Sequence, residues 1–181
     1  MKIAIITGTV RKNRKSIGLA QFIKSTANNK YQSQKISFEI LDIKDFDLPL
    51  FNEALPPAAL KTRENERGQR WSDAIASYDA LIFLTAEYNR SIPGSLKNAL
   101  DYLGREISGK VAGIVSYGST GGQSAADNLR LVLSRLGLKL VRSQPYFVNS
   151  EDFDTNNDFL PLNLEKSQNK VLRLIDAIIN Y

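Results

Sequence analysis

The chain has 181 residues, 43% of them hydrophobic and 24% charged, the proportions of one globular domain large enough to bury a sizeable core. It contains no cysteine and no histidine, which excludes disulfides, thiol catalysis, Ser–His and Cys–His nucleophile systems and histidine-ligated metal sites, so no metal is expected. The net charge of +5 favours anionic partners, but the one dense basic cluster (Arg11, Lys12, Arg14 and Lys15) has no aromatic residue within it, and nucleic acid is not expected.

The N-terminal run MKIAIITG is too short for a signal peptide or a membrane span, so a cytoplasmic protein with no membrane partner is expected. Residues 2–7 (KIAIIT) read as a first buried strand ending at Gly8. The donor-rich loop 8–16 follows. Ser16 fits a helix N-cap, and Leu19, Ile23 and Ala27 carry an apolar stripe along a helix ended by Asn28-Asn29-Lys30. Residues 36–43 (ISFEILDI) alternate as a half-buried strand near a sheet edge. Residues 44–67, with Pro49, Pro56, Pro57 and many charges, read as a long surface loop. Helical spacing resumes in 60–78, with Trp71, Ile75 and Tyr78 on one face.

Ala80 to Thr85 form the most apolar strand, hydrophobic on both alternating faces and suited to the middle of a parallel sheet. The polar loop AEYNRSI leads to Pro93 in a first helical turn and to Leu96, Ala99, Leu100 and Leu103 at helical spacing. Residues 110–116 (KVAGIVS) are a further strand. They run into the glycine-rich loop SYGSTGG and a helix that carries Ala125, Leu129, Val132 and Leu136 and ends at Gly137. Residues 138–148 make a final strand, broken or bent at Pro145. The stretch 149–163 is polar and irregular, and Val171, Leu174, Ile175 and Ile178 mark a C-terminal helix.

Strands alternating with helices imply right-handed crossovers and a doubly wound five-stranded parallel sheet, with helices on both faces and strand order 2-1-3-4-5. That order brings the loops after strands 1, 3 and 4 to one rim beside the topological switch point, where open α/β sheets bind ligands. The first loop is built for a terminal phosphate. Gly8 allows a sharp exit from the strand, Thr9 and Ser16 offer hydroxyls, Arg11 offers a fork of donors, and a helix N-terminus points the same way. A solvated basic turn accounts for these residues equally well. No G-x-G-x-x-G follows the first strand and no G-x-x-x-x-G-K-[ST] occurs, so dinucleotide-binding Rossmann and NTPase loops are disfavoured. A receiver-type domain would need acidic residues where Thr7-Gly8-Thr9 and Thr85-Ala86 stand.

Three stretches together resemble the NADPH-dependent FMN reductases: Gly8-Thr9-x-Arg11 with Ser16; Glu87-Tyr88-Asn89-x-Ser91-x-Pro93-Gly94-x-Leu96-Lys97-Asn98-x-x-Asp101; and Gly118-x-x-Gly121-Gly122. The resemblance runs from Met1 to about Leu140. It implies a flavodoxin-like fold and an FMN-dependent NAD(P)H oxidoreductase that reduces a quinone, azo compound, free flavin or similar small molecule. On these positions it implies that Thr9, Arg11, Ser16 and Ile17, with adjacent loop amides, hold the FMN phosphate. Ala86, Glu87, Tyr88 and Asn89 would line the isoalloxazine, and Ser116, Tyr117, Gly118 and Ser119 would close over its other edge. Thr9 stands for the family's usual Ser, Ala86 for a common Pro, and Ser124 for a frequent Arg. No side chain is expected to act as acid or base, because the flavin carries the redox chemistry and NADPH or NADH supplies the hydride. A flavodoxin-like electron carrier without its own NAD(P)H activity is the alternative, disfavoured by Arg11 and the positive charge. Family members generally form dimers or tetramers, and Pro49, Leu50, Phe51 and Leu55 are candidate contacts. Asn98 reads as a helix-to-loop hydrogen-bond partner, and Lys97 and Asp101 as surface residues.

Overall fold

A computed structural model describes residues 1–181. At its centre is β3 (Ala80–Ala86), every residue of which is buried, as its two apolar faces require. It pairs in parallel with β1 (Lys2–Thr7) on one side and β4 (Val111–Gly118) on the other. β2 (Ser37–Asp42) lies outside β1, so the order is 2-1-3-4 and continues to β5 (Lys139–Leu140). The chain therefore reverses its winding between β1 and β3, and the switch point lies there.

The final strand is two strands. β5 pairs with Val111 and Ala112, and β6 (Tyr146–Val148) pairs with Ser116 to Gly118 farther along the same edge of β4. The residues between leave the ladder. Pro145 has no N–H to give, yet its carbonyl accepts from Ser116 N at 3.1 Å and starts the second pairing. The sheet thus has six strands where the sequence predicts five.

Helices α1 (Ser16–Tyr31) and α6 (Leu164–Ile179) cover one face over Ile3, Ile5, Ile82, Leu84 and Val115. Helices α2 (Glu66–Ala76), α3 (Gly94–Asp101) and α4 (Gln123–Arg135) cover the other over Ala4, Ile6, Leu81, Phe83 and Ile114. A short α5 (Asn149–Asp152) follows β6 directly. Helix α2 begins later than the periodicity predicts, because the Asn65 carboxamide accepts from Arg67 N at 3.0 Å and Gly68 N at 3.3 Å and fixes the start. Pro93 stands at the N-cap of α3 with ψ of 140°, one step ahead of the helix.

The segment 44–67, predicted as one long surface loop, is less irregular than expected, and its last two residues already belong to α2. It holds two 3₁₀ turns, Ile43–Phe46 and Pro57–Ala59, and is fastened by Arg63, whose side chain is buried. The guanidinium donates to Tyr102 O at 2.7 Å and to Glu106 Oε1 at 2.7 Å, and Ser72 Oγ donates to the same carboxylate oxygen at 2.9 Å. Asn98 closes the other end, accepting from Phe51 N and donating to Pro49 O, both at 2.8 Å. It is the helix-to-loop partner its position predicts. Lys97 and Asp101 pair with each other on the surface.

Candidate functional site

The carboxyl ends of β1, β3 and β4 meet around an open cleft of about 240 Å³. Gly8 brings the first loop out at the switch point: its N–H donates to Leu84 O at 2.9 Å, and a Cβ there would lie 2.6 Å from the same carbonyl. Ser95 Oγ donates to Gly8 O at 3.0 Å and ties the exit to α3. Arg14 then turns inward. It pairs with Asp42 at the end of β2, and its Nη1 also donates to Thr9 O at 2.6 Å, so it braces the loop from within. Arg11 makes no ion pair. Its guanidinium carbon lies 5.8 Å from the centre of the Tyr88 ring, across the cleft between the first and third strands.

Ser16 is not the N-cap. It is the first helical residue of α1, fully buried, and its hydroxyl lies 3.0 Å from Thr9 Oγ1 instead of capping the helix. The hydroxyl pair holds the two ends of the loop together. Lys15 packs its ammonium 4.6 Å from the Phe153 ring centre, and burial lowers its pKa while Asp154 opposes the shift.

The second loop makes a tight turn in which Tyr88 and Ser91 exchange backbone hydrogen bonds of 2.9 and 3.0 Å. Both central residues have positive φ, 51° at Asn89 and 65° at Arg90, the conformation that asparagine tolerates better than most residues. Glu87 is drawn inward. Its Oε1 lies 3.9 Å from the exposed Arg90 guanidinium, while its Oε2 is buried with no partner. In the third loop Ser116 Oγ donates to Gly121 O at 2.7 Å, curling the chain toward α4. Gly122 starts that helix at φ of 69°, where a Cβ would lie 2.7 Å from Tyr117 O.

Of the residues named from sequence, Arg11, Ala86, Glu87, Tyr88, Tyr117, Gly118 and Ser119 line the cleft together. Thr9, Ser16 and Ser116 lie behind it, buried, as supports of its walls. Ile17 is partly buried on α1, and Asn89 is exposed at the tip of its turn; neither lines the cleft. Five lining residues escaped the sequence reading: Asn13, Arg14, Lys15, Asn149 and Asn157. Arg14 and Lys15 entered only as a charge cluster. Asn149 and Asn157 belong to the stretch after β6, which forms a fourth rim loop once the last strand is split. Its richness in asparagine was the available signal.

Polar chemistry dominates the cleft. Asn149 and Glu87 both line the cleft, and each has a buried side-chain oxygen without a partner (Asn149 Oδ1 and Glu87 Oε2), so two acceptors at the site have unmet hydrogen-bonding capacity. Burial pushes the Tyr117 phenol above its ordinary range, while the adjacent Thr9 and Ser16 hydroxyls and the Arg11 charge pull the other way. The residues fit a phosphorylated, hydrogen-bonding ring ligand such as FMN, with cations at the first loop and orphaned acceptors farther along.

The family model for NADPH-dependent FMN reductases matches residues 1–152. The chain belongs to that family. An NAD(P)H-dependent FMN reductase of Nectria sp. is 37% identical over 164 residues, which cover 87% of this chain and 81% of the relative. A quinone reductase of Pseudomonas putida is 34% identical over 147 residues, 77% of this chain and 73% of that protein. Among solved structures, the flavoenzyme NAD(P)H:(acceptor) oxidoreductase FerB from Paracoccus denitrificans superposes with a TM-score of 0.77 at 26% identity, covering 99% of this chain and 97% of the other. As a member of this family, the protein is a flavodoxin-like oxidoreductase.

Proposed function

We propose that this FMN reductase family member holds FMN in the cleft between the 8–16, 86–91 and 117–122 loops and oxidises NAD(P)H at the expense of a small-molecule acceptor such as a quinone, an azo compound or free flavin. The observation that carries the reading is the cleft itself: an unpaired Arg11 and two orphaned buried acceptors, Glu87 Oε2 and Asn149 Oδ1, at the switch point of the sheet. FMN held there would supply the redox chemistry that links hydride from the nicotinamide to reduction of the acceptor. The protein's residues bind and orient. Arg11 and the amino end of α1 attract the phosphate, Arg14 and Asp42 hold the loop that presents them, and Glu87 and Asn149 accept from N–H or O–H groups of the ligand. Tyr88 and Tyr117 give the cleft aromatic walls. No side chain of the site is assigned a proton transfer.

Purified protein tests this directly. Flavin absorbance and NADPH oxidation that accelerates with a quinone are expected. Colourless protein without affinity for added FMN would overturn the reading, and FMN binding without NAD(P)H oxidation would point to an electron carrier.

No helix of the structure is long and apolar enough to cross a membrane. We place the protein in the cytoplasm and assign it a homodimer or homotetramer through the 49–55 loop. Phe51 serves the core there, edge-on to Tyr102 at 5.1 Å, but Leu50 is 83% exposed and Leu55 52% exposed.

A further inference from the structure

Resting on that reading and deepening it, we propose that the segment after β6 is a fourth wall of the flavin site and that Asn149 binds the ribityl chain, which joins the FMN ring to its phosphate. The segment is a built hairpin. Asp152 Oδ2 accepts from Val148 N at 2.7 Å and fixes the turn out of β6. Phe153 and Phe159 then pair across the hairpin, and Leu160 N donates to Asp152 O at 2.9 Å. At the tip Asp154 N donates to Asp158 O at 3.0 Å, while Asp154 Oδ1 accepts from Asn156 N and Asp158 N at 2.9 and 2.8 Å. Asn157 takes the left-handed position of that turn, with φ of 69°.

The hairpin is seated on α1. A Cβ on Gly18, in the first turn of that helix, would lie 3.1 Å from Phe159 N, so the glycine lets the two backbones close together. Phe159 also packs on Phe22 of α1 and Phe147 of β6, with ring centres 4.5 and 5.0 Å away. Asn157, whose carbonyl also lies against Gly18, therefore lines the cleft at its phosphate end, with Asn13 and Lys15. Asn149 follows Val148, which is in register with Gly118 of the third loop. The wall thus runs from the phosphate end to the third loop, the span that the ribityl chain has to cross. FMN brings two kinds of hydrogen-bond donor, the ring N3–H and the three ribityl hydroxyls; its phosphate, close to a dianion, brings acceptors only. The cleft holds two unmet buried acceptors, Glu87 Oε2 and Asn149 Oδ1. Glu87 stands on the loop that walls the ring, and Asn149 on the wall shared with the phosphate end, so the ribityl hydroxyls fall to Asn149.

The test compares FMN, riboflavin (no phosphate) and lumiflavin (a methyl group in place of the ribityl chain) by fluorescence titration and displacement on wild-type protein and Asn149→Leu. FMN and riboflavin affinities should fall together by about 3- to 10-fold, as for loss of a neutral hydrogen bond, with lumiflavin unchanged within about twofold. Asn149→Asp, which keeps an acceptor, should restore the binding of uncharged riboflavin. The melting temperature of the Asn149→Leu apoprotein should not fall, because the oxygen it removes is bonded to nothing in the protein. An equal loss for lumiflavin would overturn the proposal in favour of the ring N–H, and a loss for FMN alone would overturn it in favour of the phosphate. Unchanged affinity for all three would overturn it outright, and a lower melting temperature with equal losses for all three would make Asn149 a structural residue. Wild-type protein that binds neither FMN nor riboflavin would instead bring down the FMN reading, and the Asn149 assignment with it.

Discussion

Removing the charge of Asp42, which holds Arg14 beneath the first loop, should cost substantial stability. Its carboxylate accepts from Thr7 Oγ1 at 2.8 Å, Lys44 N at 3.0 Å and both terminal nitrogens of Arg14, and the two charged side chains are only 11% and 12% exposed. Asp42→Asn keeps an oxygen for Thr7 and for Lys44 N but leaves the guanidinium buried against a neutral group, with Thr9 O as its remaining strong acceptor. Breaking a buried pair from one side costs about 3–5 kcal/mol, and the retained amide oxygen puts this case near the lower figure, about 3 kcal/mol. For a domain of this size that is a fall in melting temperature of roughly 6–12 °C. Urea denaturation and calorimetry measure it. The cost is one of an uncompensated charge, so Arg14→Met combined with Asp42→Asn should recover at least half of the loss. A single variant within about 0.5 kcal/mol of wild type, or a double variant no more stable than the single, would refute the reasoning.

Arg11→Ala should weaken FMN retention by about 10- to 100-fold without shifting the melting temperature of the apoprotein, because Arg11 has no ion-pair partner; unchanged affinity in a fluorescence titration would remove the arginine from the phosphate site. Leu50→Glu places a charge on the most exposed leucine of the 49–55 loop and should lower the sedimentation mass toward the monomer; a wild-type monomer, or an unchanged mass in the variant, would overturn the proposed association through this loop. The Tyr78 phenol, buried and donating to Glu39 Oε2 at 2.9 Å, is pushed up to about 12. Between pH 10 and that value the unfolded chain has lost a proton the folded one keeps, so stability should fall as pH rises through this window. Tyr78→Phe should flatten the fall, and identical pH profiles would show that the phenol does not set it.

The sheet order was legible because each strand carries its own sign of burial. Ala80–Thr85 could be placed centrally from apolar residues on both faces, and residues 36–43 at an edge from alternation. The split of the last strand was not legible. Proline marks where a ladder breaks, but it does not reveal that a second pairing begins on the same neighbour through the proline's own carbonyl. Nor could the sequence pair Arg63 with Glu106, 43 positions apart. The composition of 44–67 is that of a free loop, and only the tertiary fold turns a surface arginine type into a buried clasp. Ser16 failed as a cap for a related reason: Thr9, at the far side of the loop, competes for the hydroxyl the helix end would have used.

At the cleft, the motif residues divided according to what the backbone asks of them. Asn89 belongs to the most specific stretch of the resemblance, yet its φ of 51° and its exposure identify a turn residue that aims Glu87 and Tyr88. Ser116 likewise works on the loop, through Gly121 O, and not on the cleft surface. A motif of this kind records the shape of a wall as much as its contacts, because an asparagine that tolerates a left-handed backbone and one that binds a ligand are the same letter. Charge divided in the same way. Arg11 and Arg14 are three positions apart and chemically identical, but Asp42 neutralises one and leaves the other without an ion pair, so only the pairing across the sheet tells the two apart. The chain has neither histidine nor cysteine, and the polar character of the cleft comes from its arginine, lysine, asparagine, glutamate and tyrosine side chains. The residues that matter to the cleft then include those, like Asp42, whose effect is to decide where a neighbouring side chain is free to go.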